Sequence, residues 1–177
     1  MRWMWIDRVV ELVPRERLVA IKNVSLAEEH LHDHFEAIVA TDGSVIRAAI
    51  PIMPMSLIVE GMAQTGGILV GHAEDFREKV ILAKVSKAHL DRDATPGCQL
   101  RYTAVIKSFS EMGASVSGTV EISEPSASDG GVFTPIGSIE LIFSHLDRNM
   151  AGVEYPEHNF VFGEQFKTLL RTSGVLE

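Results

Sequence analysis

The run from Met55 to His72, MSLIVEGMAQTGGILVGH, constrains this chain more than any other stretch of it. It is apolar on most faces, yet it carries Glu60, Gln64 and four glycines, and it falls short of the roughly 20 apolar residues a membrane-spanning helix needs. It reads as a helix buried inside a protein. At 3.6 residues per turn Glu60, Ala63, Gln64, Gly67 and Gly71 share one stripe of small and polar side chains, while Leu57, Ile58, Met62, Ile68 and Leu69 fall mostly elsewhere. A carboxyl group in apolar surroundings holds its proton toward neutral pH, which suits a general acid. An equally good reading satisfies Glu60 with Gln64 and a neighbouring backbone amide, as buried polar groups usually are.

Alternation supplies what surrounds this helix. Leu18 to Val24 reads as a strand after the turn at Pro14 to Arg17, and Val80 to Val85 is β-like. Past Thr95-Pro96-Gly97, three further strands are expected at Gln99–Ile106, Ala114–Ile122 and Ile136–Phe143, with a polar break at residues 126–131. Short turns between successive strands favour an antiparallel meander, because parallel neighbours need crossover connections. The expected class is α+β: one long helix and an antiparallel sheet, in a domain over residues 1–147. Helix-like spacing from Phe160 to Leu170 marks residues 148–177 as a C-terminal extension packing on that domain.

Composition narrows the function classes. The chain's 177 residues are 46% hydrophobic, which excludes a disordered chain and suits one domain. A net charge of −8 without any Lys/Arg block argues against a nucleic-acid or anionic-membrane surface. The single cysteine, Cys98, forms no internal disulfide and fits a reducing cytoplasm as a buried thiol. Asp7 and Arg8 interrupt the first apolar residues too early for a signal peptide. No Gly-x-Ser-x-Gly elbow, phosphate-binding loop or dinucleotide fingerprint is present. His30, His32 and His34 would share one face if they lay on a strand, a first hint of a metal site. No His-Glu-x-x-His or similar cluster follows downstream, so loop histidines are the better reading, one of them a potential base, and no metal or cofactor is expected.

Three segments, taken in order, carry a resemblance. They are Asp7 to Pro14 with Val19 to Ser25 leading to His34-Phe35; Pro51-Ile52-Met53-Pro54-Met55 through Glu60-Gly61-Met62-Ala63-Gln64; and Ala83 to Gln99, with Ala88-His89-Leu90-Asp91-Arg92 and Pro96-Gly97. Together they resemble the FabZ/FabA-type β-hydroxyacyl-(acyl-carrier-protein) dehydratases of the hot-dog fold, over roughly Asp7 to Phe143. The resemblance implies a curved antiparallel sheet around one central helix. It also implies a homodimer, or a trimer of such dimers, with sites at the interface. By that resemblance His34 is the base and Glu60, from the other subunit, the acid. Gln64 orients the carboxyl, and Phe35 and Met55 contact substrate, a backbone N–H near Met55 holding the thioester oxygen. The implied partner is acyl carrier protein, an acidic molecule that needs basic residues at the tunnel mouth; Lys84, Lys87 and Arg92 are the candidates.

The chain also departs from that pattern. Asp33-His34-Phe35-Glu36-Ala37 stands where the family has Gly-His-Phe-Pro-Gly, and Met55 replaces the glycine after Pro54. Asp33 would raise the neighbouring imidazole's pKa, and Met55 would narrow the thioester's approach. His34 and Glu60 are 26 positions apart, about a dozen more than usual in the family. The excess lies in residues 36–50, two apolar runs about Asp42-Gly43, read as an inserted β-hairpin serving as lid or dimer contact. Two other functions stay open: a hot-dog thioesterase, in which a helix carboxylate activates water, and a non-catalytic acyl- or carrier-binding protein.

Overall fold

The computed structural model describes residues 3–33, 35–124, 131–146, 156 and 161–176, the side chains of His32 and Asp33 excepted. Strands β1 (Arg8–Val13) and β2 (Arg17–Asn23) come first, followed by the short helix α1 (Glu29–Asp33) and a two-stranded hairpin, β3 (Ile38–Val39) and β4 (Val45–Arg47). The long helix α2 spans Met55–His72. After it come β5 (Val80–Leu90), β6 (Gln99–Ser110), β7 (Gly113–Ser123), β8 (Thr134–His145) and a C-terminal helix α3 (Glu164–Thr172).

Six strands form one antiparallel sheet in the order β1-β2-β6-β7-β8-β5, and α2 lies against β2, β5, β6, β7 and β8. Alternate side chains of the sheet meet the helix: Leu100, Tyr102 and Ala104 from β6, Val116, Val120 and Ile122 from β7, and Ile139, Leu141 and Phe143 from β8 are all buried. Ile58, Met62, Ile68 and Leu69 answer them from α2. Each large side chain buried this way contributes about 1.5–3 kcal/mol. Close approach is bought with glycine. A Cβ on Gly118 of β7 would sit 2.4 Å from the Met62 sulfur, and one on Gly61 would sit 2.6 Å from the Tyr102 ring.

The structure corrects two expectations. β6, β7 and β8 make the expected meander, but β5 does not join it beside β6; it pairs with β8 at the far edge. The link from β5 to β6 therefore crosses roughly 14 Å of sheet, three strand spacings, and is pinned on the way where the Met53 N–H donates to the Ala94 carbonyl at 2.8 Å. Residues 29–33 form a helix, so His30 and His32 do not share one face of a strand as the metal hint required. The cause is local. Ser25-Leu26-Ala27-Glu28 is a tight turn leading into the helix: the Glu28 N–H donates to the Ser25 carbonyl at 3.0 Å, Glu28 Oε2 accepts the Ser25 N–H at 3.1 Å, and Ser25 Oγ accepts from Ala27 N–H at 3.2 Å.

The residues read as an inserted hairpin form β3 and β4. Gly43 takes φ +86°, and Asp42 Oδ1 accepts from both the N–H and the hydroxyl of Ser44, which holds the Asp42 carboxyl below its usual pKa. The C-terminal extension packs on the sheet through Leu169 and Leu170, both buried, and its Ser173 Oγ accepts the Val9 N–H of β1 at 3.0 Å.

Candidate active site

The polar seam of α2 faces a cavity of about 280 Å³. Glu60, Ala63, Gln64 and Gly67 line its helix side, Val80, Ile81 and Leu82 of β5 and Phe143 of β8 its sheet side, and Val161, Phe162 and Phe166 of the C-terminal extension the remainder. Two polar side chains in an otherwise apolar chamber suit a ligand with an apolar chain and a polar head.

Gln64 is fixed by the N-terminal segment. Its Oε1 accepts the Trp5 N–H at 2.9 Å, and its Nε2 donates to the Trp3 carbonyl at 3.2 Å, so the side-chain amide pairs with residues 3–5 as a strand would. The second hydrogen of Nε2 goes to Glu60 Oε1 at 3.0 Å. The Trp3 indole N–H donates to the same oxygen at 3.2 Å. Glu60 Oε2 accepts no hydrogen bond from a described residue, leaving one carboxyl oxygen clamped and one available. The contact with Gln64 foreseen for Glu60 is present; the backbone amide foreseen beside it is replaced by an indole.

The other expected residues lie outside the lining of this cavity. Met55 opens α2, half exposed, behind Pro54; the first helical bonds run from Leu57 and Ile58 back to Pro54, so the N–H groups of residues 55 and 56 have no acceptor within the helix. Phe35 is half-buried in the turn after α1, and its carbonyl accepts the Ile50 N–H at 3.0 Å. His34 lies outside the described residues. Of the basic candidates, Arg92 is ion-paired with Glu124, whereas Lys84 and Lys87 are exposed on β5 with no ion pair among the described residues.

Sequence reasoning missed Trp3 and Trp5, which meet edge to face at 5.4 Å, Trp5 buried and Trp3 exposed. Their alternate spacing was the available signal, an extended segment with one ring in and one out. It also missed Val161, Phe162 and Phe166, whose spacing announced a helix but not the cavity it meets.

One helix embraced by a curved six-stranded antiparallel sheet, with a polar seam opening on an apolar chamber, defines a hot-dog protein. Among solved structures the chain resembles the dehydratase heterocomplex ApeI:P from Xenorhabdus doucetiae, at TM-score 0.56 and 17% identity over 81% of this chain and 83% of that one. It also resembles an acyl-CoA hydrolase from Agrobacterium tumefaciens, at TM-score 0.52 and 11% identity over 75% of this chain and 44% of that one. The fold is thus common to a dehydratase complex and an acyl-CoA hydrolase. Residues 2–123 match the FabA-like domain model, and the chain belongs to that family. Among curated relatives it is 41% identical over 102 residues to a 3-hydroxyacyl-[acyl-carrier-protein] dehydratase FabZ of Geobacter metallireducens, covering 56% of this chain and 60% of that protein. It is 29% identical over 136 residues to the same-named protein of Clostridium kluyveri, covering 76% and 86%. The matched segment spans 60% and 55% of the length of the Geobacter metallireducens and Koribacter versatilis relatives.

Proposed function

We propose that the protein removes water from 3-hydroxyacyl thioesters carried on acyl carrier protein, giving trans-2-enoyl thioesters. The observation that carries this is the Glu60–Gln64 pair on the cavity side of α2, with one Glu60 oxygen held by two donors and the other available. The relatives named as 3-hydroxyacyl-[acyl-carrier-protein] dehydratases support the substrate class.

His34, contributed by a second copy of the chain, takes a proton from C2; the C2–H electron pair moves toward the thioester carbonyl and then forms the C2=C3 bond. Glu60 Oε2 gives its proton to the C3 hydroxyl as the C3–O bond breaks, and water leaves. A neutral imidazole and a protonated carboxyl thus work in opposite protonation states on the two sides of one bond. The free N–H groups where α2 begins would bear the negative charge that builds on the carbonyl oxygen. Phe35 and Met55 would flank the thioester.

The open edge of β5 supports pairing of two copies, which would bring His34 of one to Glu60 of the other. β5 is an edge strand whose residues 82–89 are all exposed, Leu82 and Val85 among them, an arrangement that soluble single chains avoid. The β3–β4 hairpin, which exposes Ile38, Val39, Val45 and Ile46, is proposed as a further contact or lid beside it.

The test is formation of the enoyl absorbance from a 3-hydroxyacyl thioester by purified protein and by Glu60→Gln and His34→Ala. Each substitution is expected to lower turnover by about 10²–10⁴-fold with the fold retained. Full activity in both variants would sink the assignment, and release of free thiol without enoyl product would make the protein a thioesterase.

A further inference from the structure

We propose that the C-terminal extension closes the far end of the cavity, and that Phe162 and Phe166 set the longest acyl chain the protein accepts. The substrate class rests on the dehydratase reading; the stop itself rests on geometry. Gly71 lies three turns along α2 from Glu60, about 16 Å of helix rise. A Cβ there would stand 2.6 Å from the Phe162 ring, so Phe162 is seated directly on the end of the seam. Phe162 is buried and is held edge to face by Phe76 at 5.0 Å and by Phe166 at 6.1 Å. The segment is anchored from behind by buried Leu169 and Leu170 and by the Ser173 bond to β1.

Gly67, between Glu60 and this stop, behaves differently from its neighbours. A Cβ there would meet only Phe143, at an ordinary 3.5 Å, so packing does not require glycine. What its missing side chain leaves is chamber volume. At about 280 Å³ the chamber lies just below the usual range of ligand pockets, about 300–1,000 Å³. A short or medium acyl chain, with its head at Glu60 and its terminal methyl against Phe162 and Phe166, fits that limit. Both stop residues lie beyond residues 2–123, so this boundary belongs to the part of the chain outside the family match.

The experiment measures kcat/KM over saturated 3-hydroxyacyl thioesters from four to sixteen carbons, and in parallel the binding of non-hydroxylated acyl N-acetylcysteamine thioesters of the same lengths. Phe166→Ala is expected to raise use and binding of chains just beyond the wild-type limit at least tenfold relative to the shortest. Gly67→Leu is expected to move the limit the other way, and decides alone if Phe166→Ala does not fold. Unchanged length limits in folded variants would overturn the stop. Absence of turnover at every length, with the binding limit still shifting, would overturn the dehydratase reading and keep the stop.

Discussion

Gln64 uses every hydrogen-bonding position of its amide that the N-terminal segment and Glu60 offer: one acceptor for Trp5 N–H and two donors, to the Trp3 carbonyl and Glu60 Oε1. Gln64→Glu would set a carboxylate against a carbonyl and a second carboxylate. The expected outcome is a loss of about 1–3 kcal/mol in urea unfolding together with loss of turnover. The Glu60–Gln64 pair was legible in the sequence because an i, i+4 stripe is a local property. The Trp3 indole was not, because it reaches Glu60 only after the chain has folded across 57 positions. Tyr102 makes a second residue-scale case. Its hydroxyl is buried without a hydrogen-bond partner among the described residues, and burial first, then the charges of Asp7 and Glu28, hold its pKa far above the ordinary value. The unfolded chain therefore releases this proton above about pH 10 while the folded chain keeps it, so stability falls there by about 1.4 kcal/mol per pH unit. Tyr102→Phe is expected to remove that contribution and to raise stability at pH 7 by about 1 kcal/mol, read as the difference between variant and wild-type unfolding at pH 7 and above pH 10.

Among elements, α2 shows how differently one residue type serves along a single helix. At Gly61 an added Cβ would strike the Tyr102 ring at 2.6 Å and the Trp5 carbonyl at 2.9 Å, whereas at Gly67 it would find room. Gly61→Ala is expected to lower the melting temperature by several degrees. Gly67→Ala is expected to raise stability by up to about 1 kcal/mol, the helix-propensity difference between the two residues. In the sequence Gly66 and Gly67 are adjacent and look alike; only the neighbouring strands separate them, a Cβ on Gly66 meeting the Phe143 ring at 3.0 Å. The bounds of α2 were readable because its apolar run is long and continuous. The edge on which β5 pairs was not, since alternation reports which face a residue occupies and carries nothing about the partner strand. α1 was hidden for the reverse reason: alternating histidines suggest a strand, whereas the hydrogen-bonded turn at Ser25 to Glu28 leads the chain into a helix.

At the scale of the molecule, the two edges of the sheet are treated differently. β1 is covered where α3 and Ser173 lie against it, and β5 is left open with Leu82 and Val85 exposed. With two copies paired through β5 as proposed, Val85→Glu is expected to halve the solution mass, measured by light scattering, and to abolish turnover if His34 comes from the second copy. The acidic total leaves few cations for an acidic carrier. Lys84→Glu with Lys87→Glu is expected to raise KM severalfold for carrier-linked substrate and to leave KM for a small free thioester unchanged. The C-terminal segment, finally, is both the plug of a chamber and the guard of a strand edge. Shortening the protein to admit longer chains would bare a templating edge at the same stroke, so selectivity can drift freely by exchange of Phe166 but only at the risk of self-association by truncation.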